Sequence, residues 1–478
     1  MSRETFDVVV IGGGTAGLVT ASGCARLGRR VALVERAELG GECLWTGCVP
    51  SKALIATARV ADTIRHAWRY GIDPVEPVID GARVLESMRE TQRITQKHDD
   101  PDKFRRLGID VVFGEARLRP RREVAVGGRI LVAKDVVLAT GSRTRIPDVE
   151  GLDETGFVDH VSFLRLQSFP RSVVILGGGA VGVEFAQMLR RFGTEVTLVQ
   201  RGPSLLPRED AAIRSGVRAL LLGNGIDVRL DATAVRARCD AGRKIVTMRG
   251  GDGSETDIAA QEIFVATGRR GNVENLGLEE TGVRTEKDFV VADRALRTTA
   301  HRVWACGDVH GSLLFTHVAA HEAATLVRNI LFPGRSAVDY DNVPWAVFTD
   351  PEVARVGLTE EEAARELGTD GVRTWTVEMA DLDRPVADRA TEGFLKVVTT
   401  PRGKILGAHA LCAGASSLIA TIVLARDRGA TLGRLGRLVS PYPSLPDGFG
   451  KLGASYFQEL ASGRLGRLAR RVVSWTHQ

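Results

Sequence analysis

Phe6-Asp7-Val8-Val9-Val10-Ile11-Gly12-Gly13-Gly14-Thr15-Ala16-Gly17 is an apolar run that breaks into glycines and then into a helix-forming stretch reaching about Leu27. Phe6–Ile11 reads as a buried strand and Val31–Val34, closing at Glu35, as the next one. Strand, Gly-x-Gly-x-x-Gly, helix, strand and terminal acid together form the dinucleotide-binding fingerprint in its required context. Gly12 takes the tight turn, Gly14 lets the backbone approach a pyrophosphate on the helix N-terminus, and Gly17 lets helix lie on strand. Glu35, about 20 residues on, is placed to hold ribose hydroxyls.

The unit recurs at a constant offset of 165 positions. Val173–Leu176 is the strand, Gly177, Gly179 and Gly182 are the glycines, Phe192-Gly193 repeats Leu27-Gly28, and Val196–Val199 repeats Val31–Val34. Two dinucleotide-binding domains are therefore expected, on an α/β fold. The repeat breaks at one informative position: Gln200 stands where Glu35 does, while Arg201 matches Arg36. Losing the ribose-binding acid and keeping an arginine favours a 2′-phosphate, hence NADPH, with NADH the alternative. Arg208 is a second candidate phosphate contact; two solvated loop arginines are the competing reading.

Asp135–Leu138 running into Ala139-Thr140-Gly141, and Glu262–Val265 running into Ala266-Thr267-Gly268, read as strands returning to a glycine turn. Each is a crossing point between domains. Val303–Asp308 is a strand ending in Gly-Asp, where Asp308 either takes flavin ribityl hydroxyls or caps the next helix. From about Asp341 the texture changes to Val343–Phe348, Phe394–Thr399 and Lys404–Ala410, strands of an antiparallel sheet. Asp350-Pro351 marks a turn, and Thr359 opens a helix with Glu362 as its capping acid.

At 478 residues the chain is too long for one core, and about three domains follow from ~150 residues each. A net charge of +5, mostly arginine spread among acids, gives no ground for nucleic-acid binding. Six cysteines in this length are no secreted disulfide framework. Met1–Asp7 enters a strand without a basic or apolar leader, and no apolar run approaches the ~18 residues of a membrane span. A cytoplasmic enzyme is expected.

Two of the cysteines stand in Gly40-Gly41-Glu42-Cys43-Leu44-Trp45-Thr46-Gly47-Cys48-Val49-Pro50-Ser51-Lys52. A disulfide between Cys43 and Cys48 closes a very short loop, the kind that is labile and catalytic. Pro50 reads as a first helical turn, which puts Cys48 at a helix N-terminus that favours its thiolate. Two packing cysteines that happen to be close are the other reading. Cys239 and Cys412 are isolated and read as structural, and no resident metal is expected.

These motifs, spread over roughly residues 5–460, resemble the class I flavoprotein disulfide reductases, a family that includes dihydrolipoamide dehydrogenase, glutathione reductase and mercuric reductase. The resemblance rests on Gly12–Gly17, Gly41–Lys52, the two Ala-Thr-Gly turns, Gly177–Glu184, Cys306-Gly307-Asp308 and Thr349–Val353. It implies FAD on the first unit, the nicotinamide nucleotide on the second, and a homodimer built through a C-terminal α+β domain. The expected division is a first part of the FAD domain at 1–150, a nucleotide domain at 151–270, the rest of the FAD domain at 271–340 and a dimerisation domain at 341–460. By resemblance, hydride passes from NADPH to the flavin and electrons pass to a Cys43–Cys48 disulfide. Cys48 is then the thiol against the flavin, and Cys43 the one that meets a small acceptor. Lys52 and Glu184 match the family's ion pair beside the flavin. Thr140, Gly141, Gly268, Asp308 and His317 match positions that flank the cofactors. His310 and His317 are each as readily packed or capping histidines.

One motif departs from the family. Its disulfide-reducing members carry His-Pro-Thr with a Glu soon after; here the stretch is Ser440-Pro441-Tyr442-Pro443-Ser444-Leu445-Pro446-Asp447. Tyr442 takes the histidine position and Asp447 the acid position. An ordinary phenol, near ~10, is several units too high for an efficient proton shuttle. Mercuric reductases resemble the chain in a Pro-Tyr motif, but the tail Ala461–Gln478 has none of their terminal cysteines. A thiophilic metal ion, a disulfide and a quinone-type acceptor remain open. The basic tail 461–478 also suggests a redox-sensing flavoprotein that touches a partner or an anionic membrane surface, a solvated or disordered tail being the other reading.

Overall fold

A computed structural model of the chain describes residues 2–463. The basic tail expected at 461–478 lies almost wholly outside the described residues. Val8 to Ile11 of the strand Ser2–Ile11 are buried, as a central parallel strand covered on both faces must be. The sheet runs Asp110–Phe113, Val31–Glu35, Ser2–Ile11, Arg129–Leu138, all parallel. The long last strand changes neighbours along its length. Its first half pairs antiparallel with Glu123–Val126, and its second half pairs parallel with Val303–Ala305. This places the Gly307-Asp308 turn beside the first glycine turn.

The second unit repeats the plan with Asp227–Arg229, Glu195–Val199, Ser172–Leu176 and Glu262–Val265, again all parallel. A meander of Ala232–Asp240, Arg243–Gly250 and Glu255–Ala260 covers it. The sequence pattern does not announce this meander, because its strands scatter charged residues among apolar ones and are interrupted by a register shift between Ala234 and Arg236. Only a few residues, such as Val246 and Met248, reach the core. Cys239, expected as a packing residue, sits exposed on this meander.

The two crossing points are joined directly. Ser142–Thr144, just past Ala139-Thr140-Gly141, pairs antiparallel with Arg269–Gly271, just past Ala266-Thr267-Gly268. Beyond them an antiparallel sheet runs Pro344–Val347, Glu352–Gly357, Ile405–Cys412, Phe394–Thr399, Arg373–Glu378. Its third strand starts one residue later than expected and runs on to Cys412, which is fully buried. The helix Glu360–Leu367 opens with the capping box Thr359/Glu362. No helix among the described residues is long and apolar enough to cross a membrane.

Candidate functional site

Both glycine turns, the cysteine stretch, both crossing points and the Gly307-Asp308 turn line one cavity of about 1970 Å³. Ordinary small-molecule pockets hold ~300–1,000 Å³, so this one has room for two extended ligands. The glycine turns are built alike. Gly12 and Gly177 have φ of +112° and +114°. A Cβ on Gly12 would stand 2.2 Å from the Ala139 carbonyl, and one on Gly177 would stand 2.3 Å from that of Ala266. At Gly17 and Gly182 a Cβ would fall 1.8 and 1.9 Å from the carbonyls of Gly12 and Gly177. Gly14 and Gly179 carry no side chain to obstruct the cavity they line. A Cβ on Gly41 would press to 2.7 Å from the Gly14 Cα, so the cysteine stretch is laid directly on the first turn.

Glu35 accepts from the Gly13 N–H at 2.7 Å and from the Ala37 N–H at 2.9 Å. Gln200 repeats the first contact, accepting from the Gly178 N–H at 3.0 Å. The second unit thus keeps the loop bond and drops the charge. Arg201, the next residue, and Arg208 are both exposed.

Gly40, with φ +105°, turns the chain into the short helix Gly41–Trp45, which carries Cys43. Gly47 then caps the helix Cys48–Arg65, so Cys48 is its first residue, where a thiolate is favoured. Both thiols are half-buried. The two sulfurs ionise in opposite directions: a hydrogen bond between them pushes the Cys43 thiol up and holds Cys48 well below an ordinary thiol. Burial opposes the Cys48 thiolate, while the Thr316 hydroxyl, 3.1 Å from its sulfur, and the charge of Lys52 favour it.

Lys52 Nζ lies 2.8 Å from Glu184 Oε2 and 4.7 Å above the Phe348 ring centroid. The other Glu184 oxygen accepts from the Phe348 N–H at 2.8 Å. Lysine, glutamate and phenylalanine come from the first unit, the second unit and the C-terminal sheet region respectively. The pair therefore pins all three parts together at the cavity.

Asp308 accepts from Ser142 Oγ at 2.6 Å and lies 3.7 Å from Arg269. It makes no cap; Gly307 opens its one-turn helix instead. Burial pushes its carboxyl up, against that hydrogen bond and the Arg269 charge. Thr140 and Asn272 exchange hydrogen bonds at 2.7 and 2.8 Å across the first crossing point. Gly141 and Gly268 line the cavity.

Several functional groups escaped the sequence pattern. Glu42, next to Cys43, is held by both Arg269 and His160, which keep its carboxyl low although burial pushes it up. Glu322 is fully buried and receives the Gly307 N–H, His310, Ser312 and Tyr340, so it shapes the turn that presents Asp308. His310 is accordingly a packed histidine. His317 lines the cavity; its Nε2 lies 2.7 Å from the Pro344 carbonyl and its ring stacks on Phe315, which stacks on Trp345. A lone Glu or Trp carries no local signal for such roles.

Tyr442 and Asp447 are not brought to the cysteines of their own chain. Tyr442 is 74% exposed and donates to the Asp383 carboxylate, which pushes its phenol up. Asp447 accepts from Ser440 Oγ at 2.8 Å and the Ser444 N–H at 2.9 Å. Neither lines the cavity.

Residues 6–323 match the family model described as pyridine nucleotide-disulphide oxidoreductase, and residues 343–452 match the dimerisation domain of those oxidoreductases. A mercuric reductase of Streptomyces lividans is 34% identical over 95% of this chain and 96% of its own length. A dihydrolipoyl dehydrogenase of Rhizobium etli is 32% identical over 93% and 96%. Among solved structures, the Cu(II) complex of RclA, an HOCl-induced flavoprotein disulfide reductase of Escherichia coli, superposes with a TM-score of 0.84 at 29% identity, covering 94% of this chain and 99% of that one.

Proposed function

The chain belongs to the pyridine nucleotide-disulphide oxidoreductases, FAD-dependent enzymes that use NAD(P)H, and from that premise we propose that it uses NADPH and delivers electrons through Cys43 and Cys48 to a thiophilic metal ion. The residues fit a flavin dinucleotide: a glycine cradle that any Cβ would fill, the Glu35 carboxylate beside it, and Asp308 on the wall of the same cavity. When bound, FAD supplies the two-electron relay between nicotinamide and thiols. Lys52 holds a cation over the site, and Glu184 keeps that cation from standing as an unpaired charge. Cys48 is held as thiolate, and Cys43 is the sulfur offered to the acceptor.

One observation carries the choice of acceptor. The position at which disulfide-reducing relatives need an imidazole holds a phenol whose proton is bound more tightly still by Asp383. A departing thiolate needs a donor that titrates near neutrality; a metal cation held by two thiolates does not. The exposure of Tyr442, with Val439 beside it 94% exposed, supports a homodimer in which this segment faces the cysteines of a second copy. For the nucleotide, Gln200 keeps the loop bond without the charge that would repel a 2′-phosphate, and Arg201 stands next to it. The Phe315–Trp345 stack at the cavity favours a planar quinone as the second reading.

The test is anaerobic reduction of the purified yellow protein with NADPH and with NADH, followed by Hg(II), Cu(II), lipoamide, oxidised glutathione and a quinone. Metal-ion turnover with NADPH is expected, with slow reduction of both disulfides. Disulfide turnover as fast as that of the metal ions overturns the assignment, and quinone turnover above them selects the second reading.

A further inference from the structure

The C-terminal sheet buries an arginine, a histidine and a lysine in strands that are otherwise mostly apolar. Trp345 faces Arg355 across the first pair of strands, Arg355 faces His409 across the next, and His409 faces Lys396 across the third. Directly opposed residues share one face of a sheet. Arg355, His409 and Lys396 are buried, and buried charges need partners. The row finds them in three consecutive residues of the second unit. Arg355 Nη1 donates to the Arg208 carbonyl. Trp345 Nε1 donates to Glu209 Oε1 at 2.6 Å. Lys396 Nζ lies 2.8 Å from Asp210 Oδ1, and the other Asp210 oxygen accepts from the Glu360 N–H at 3.1 Å. The Arg355 guanidinium also sits 4.6 Å over the Trp345 ring centroid, so it holds the indole and the turn together.

This turn ends the loop that begins at Arg201. The middle of the loop is folded onto the second glycine turn: the Leu206 N–H donates to the Gly178 carbonyl at 2.9 Å, and a Cβ on Gly178 would meet the Leu205 side chain at 2.6 Å. Arg201 and Arg208 stand exposed at the two ends of the loop, and neither guanidinium has a hydrogen bond or ion pair among the described residues. Glu209 is only 4% exposed, and its Oε2 has no hydrogen-bond partner among the described residues. Burial pushes its carboxyl up, against the Trp345 hydrogen bond and the Arg355 charge. What the indole needs at position 209 is an acceptor oxygen, with or without charge. Trp345 also lines the central cavity, so one side chain touches both the cavity and the nucleotide loop.

We propose that the C-terminal sheet completes the nucleotide site: Trp345, through Glu209, positions the loop from Arg201 to Arg208 to hold the 2′-phosphate of NADPH. This role rests on NADPH being the nucleotide. Glu209 and Trp345 are positioning residues, and losing their hydrogen bond frees the turn while the second glycine turn and the thiols keep their own contacts.

The test is anaerobic flavin reduction in the purified holoenzyme at increasing NADPH or NADH, which gives a Kd and a limiting rate for each nucleotide without an acceptor. Glu209→Leu removes the acceptor oxygen, and Trp345→Phe keeps a ring but removes the donor. Each is expected to raise the Kd for NADPH relative to that for NADH roughly tenfold, the worth of a hydrogen bond to a charged group, with the limiting rate falling far less. Glu209→Gln keeps an acceptor oxygen and is expected to retain the preference for NADPH. Bound flavin reports folding, and if Glu209→Leu loses it, Trp345→Phe carries the test. Equal weakening of both nucleotides, an unchanged preference, or a Glu209→Gln variant as impaired as Glu209→Leu overturns the proposal. Arg208→Gln separates the two readings. If it lowers the preference while Glu209→Leu and Trp345→Phe do not, the positioning role alone falls. If it leaves the preference unchanged, the loop does not read the 2′-phosphate, and the inference falls with that reading.

Discussion

The two glycine turns are nearly superimposable in their constraints, yet they differ in the charge they carry. Both have a first glycine at φ close to +113° and both bring a third glycine under 2 Å from where a side chain would strike a carbonyl. Both also close the loop by accepting one backbone N–H on a side-chain oxygen, Glu35 in the first and Gln200 in the second. The backbone geometry needs only an acceptor oxygen at that position. The charge on it is free to vary, and there the two units diverge.

The harshest way to break the likeness is to fill the third glycine. Gly17→Ala and Gly182→Ala each force a Cβ onto backbone, and overpacking of ~3 kcal/mol corresponds to about a hundredfold loss of affinity. Gly17→Ala is expected to purify without its yellow colour. Gly182→Ala is expected to keep the flavin and lose reduction by NADPH, as read by anaerobic titration. If both variants lose the same ligand, the two turns do not serve separate nucleotides.

Gln200→Glu restores the first unit's charge in the second. The ratio of kcat/KM for NADPH over NADH is expected to fall on the order of tenfold, the worth of one charge-assisted hydrogen bond gained by a ribose. An unchanged ratio places the discrimination elsewhere.

Lys52→Met removes what the first unit contributes to the pair that joins it to the second. The lysine charge helps keep Cys48 ionised, so its loss moves the Cys48 titration upward, toward an ordinary thiol. Thiolate is then lost at the lower end of the pH range first. The midpoint of Cys48 alkylation by iodoacetamide is expected to rise by about one pH unit, ~1.4 kcal/mol. The smallest effect is expected from Glu35→Gln, which copies the second unit into the first. The Gly13 bond survives, and flavin affinity by isothermal titration of the apoprotein is expected to weaken only several-fold, ~1 kcal/mol.

Much of this was legible from residue order because the rules are local. Glycine spacing, the strand runs, the Thr359/Glu362 cap and the placing of Cys48 on a helix N-terminus each depend on fewer than a dozen neighbouring residues. The meander Ala232–Ala260 was not legible, since its polar strands carry little periodicity and are held by a face that only the finished sheet provides. Glu42, Glu322 and Trp345 were missed for a related reason. Each is an ordinary residue until its partner is known.

The sequence by itself determined two dinucleotide-binding units, a cysteine pair five positions apart at a helix N-terminus, and the absence of the usual imidazole at position 442. Tertiary structure alone decided what surrounds that pair. Thr316 reaches Cys48 from 268 positions away, and Arg269 reaches Glu42 from 227. Local conformational preference acts over a few residues, whereas ionisation depends on every charge and surface within a few ångströms. Those neighbours are assembled by burial of the core, and no spacing rule along the chain records them.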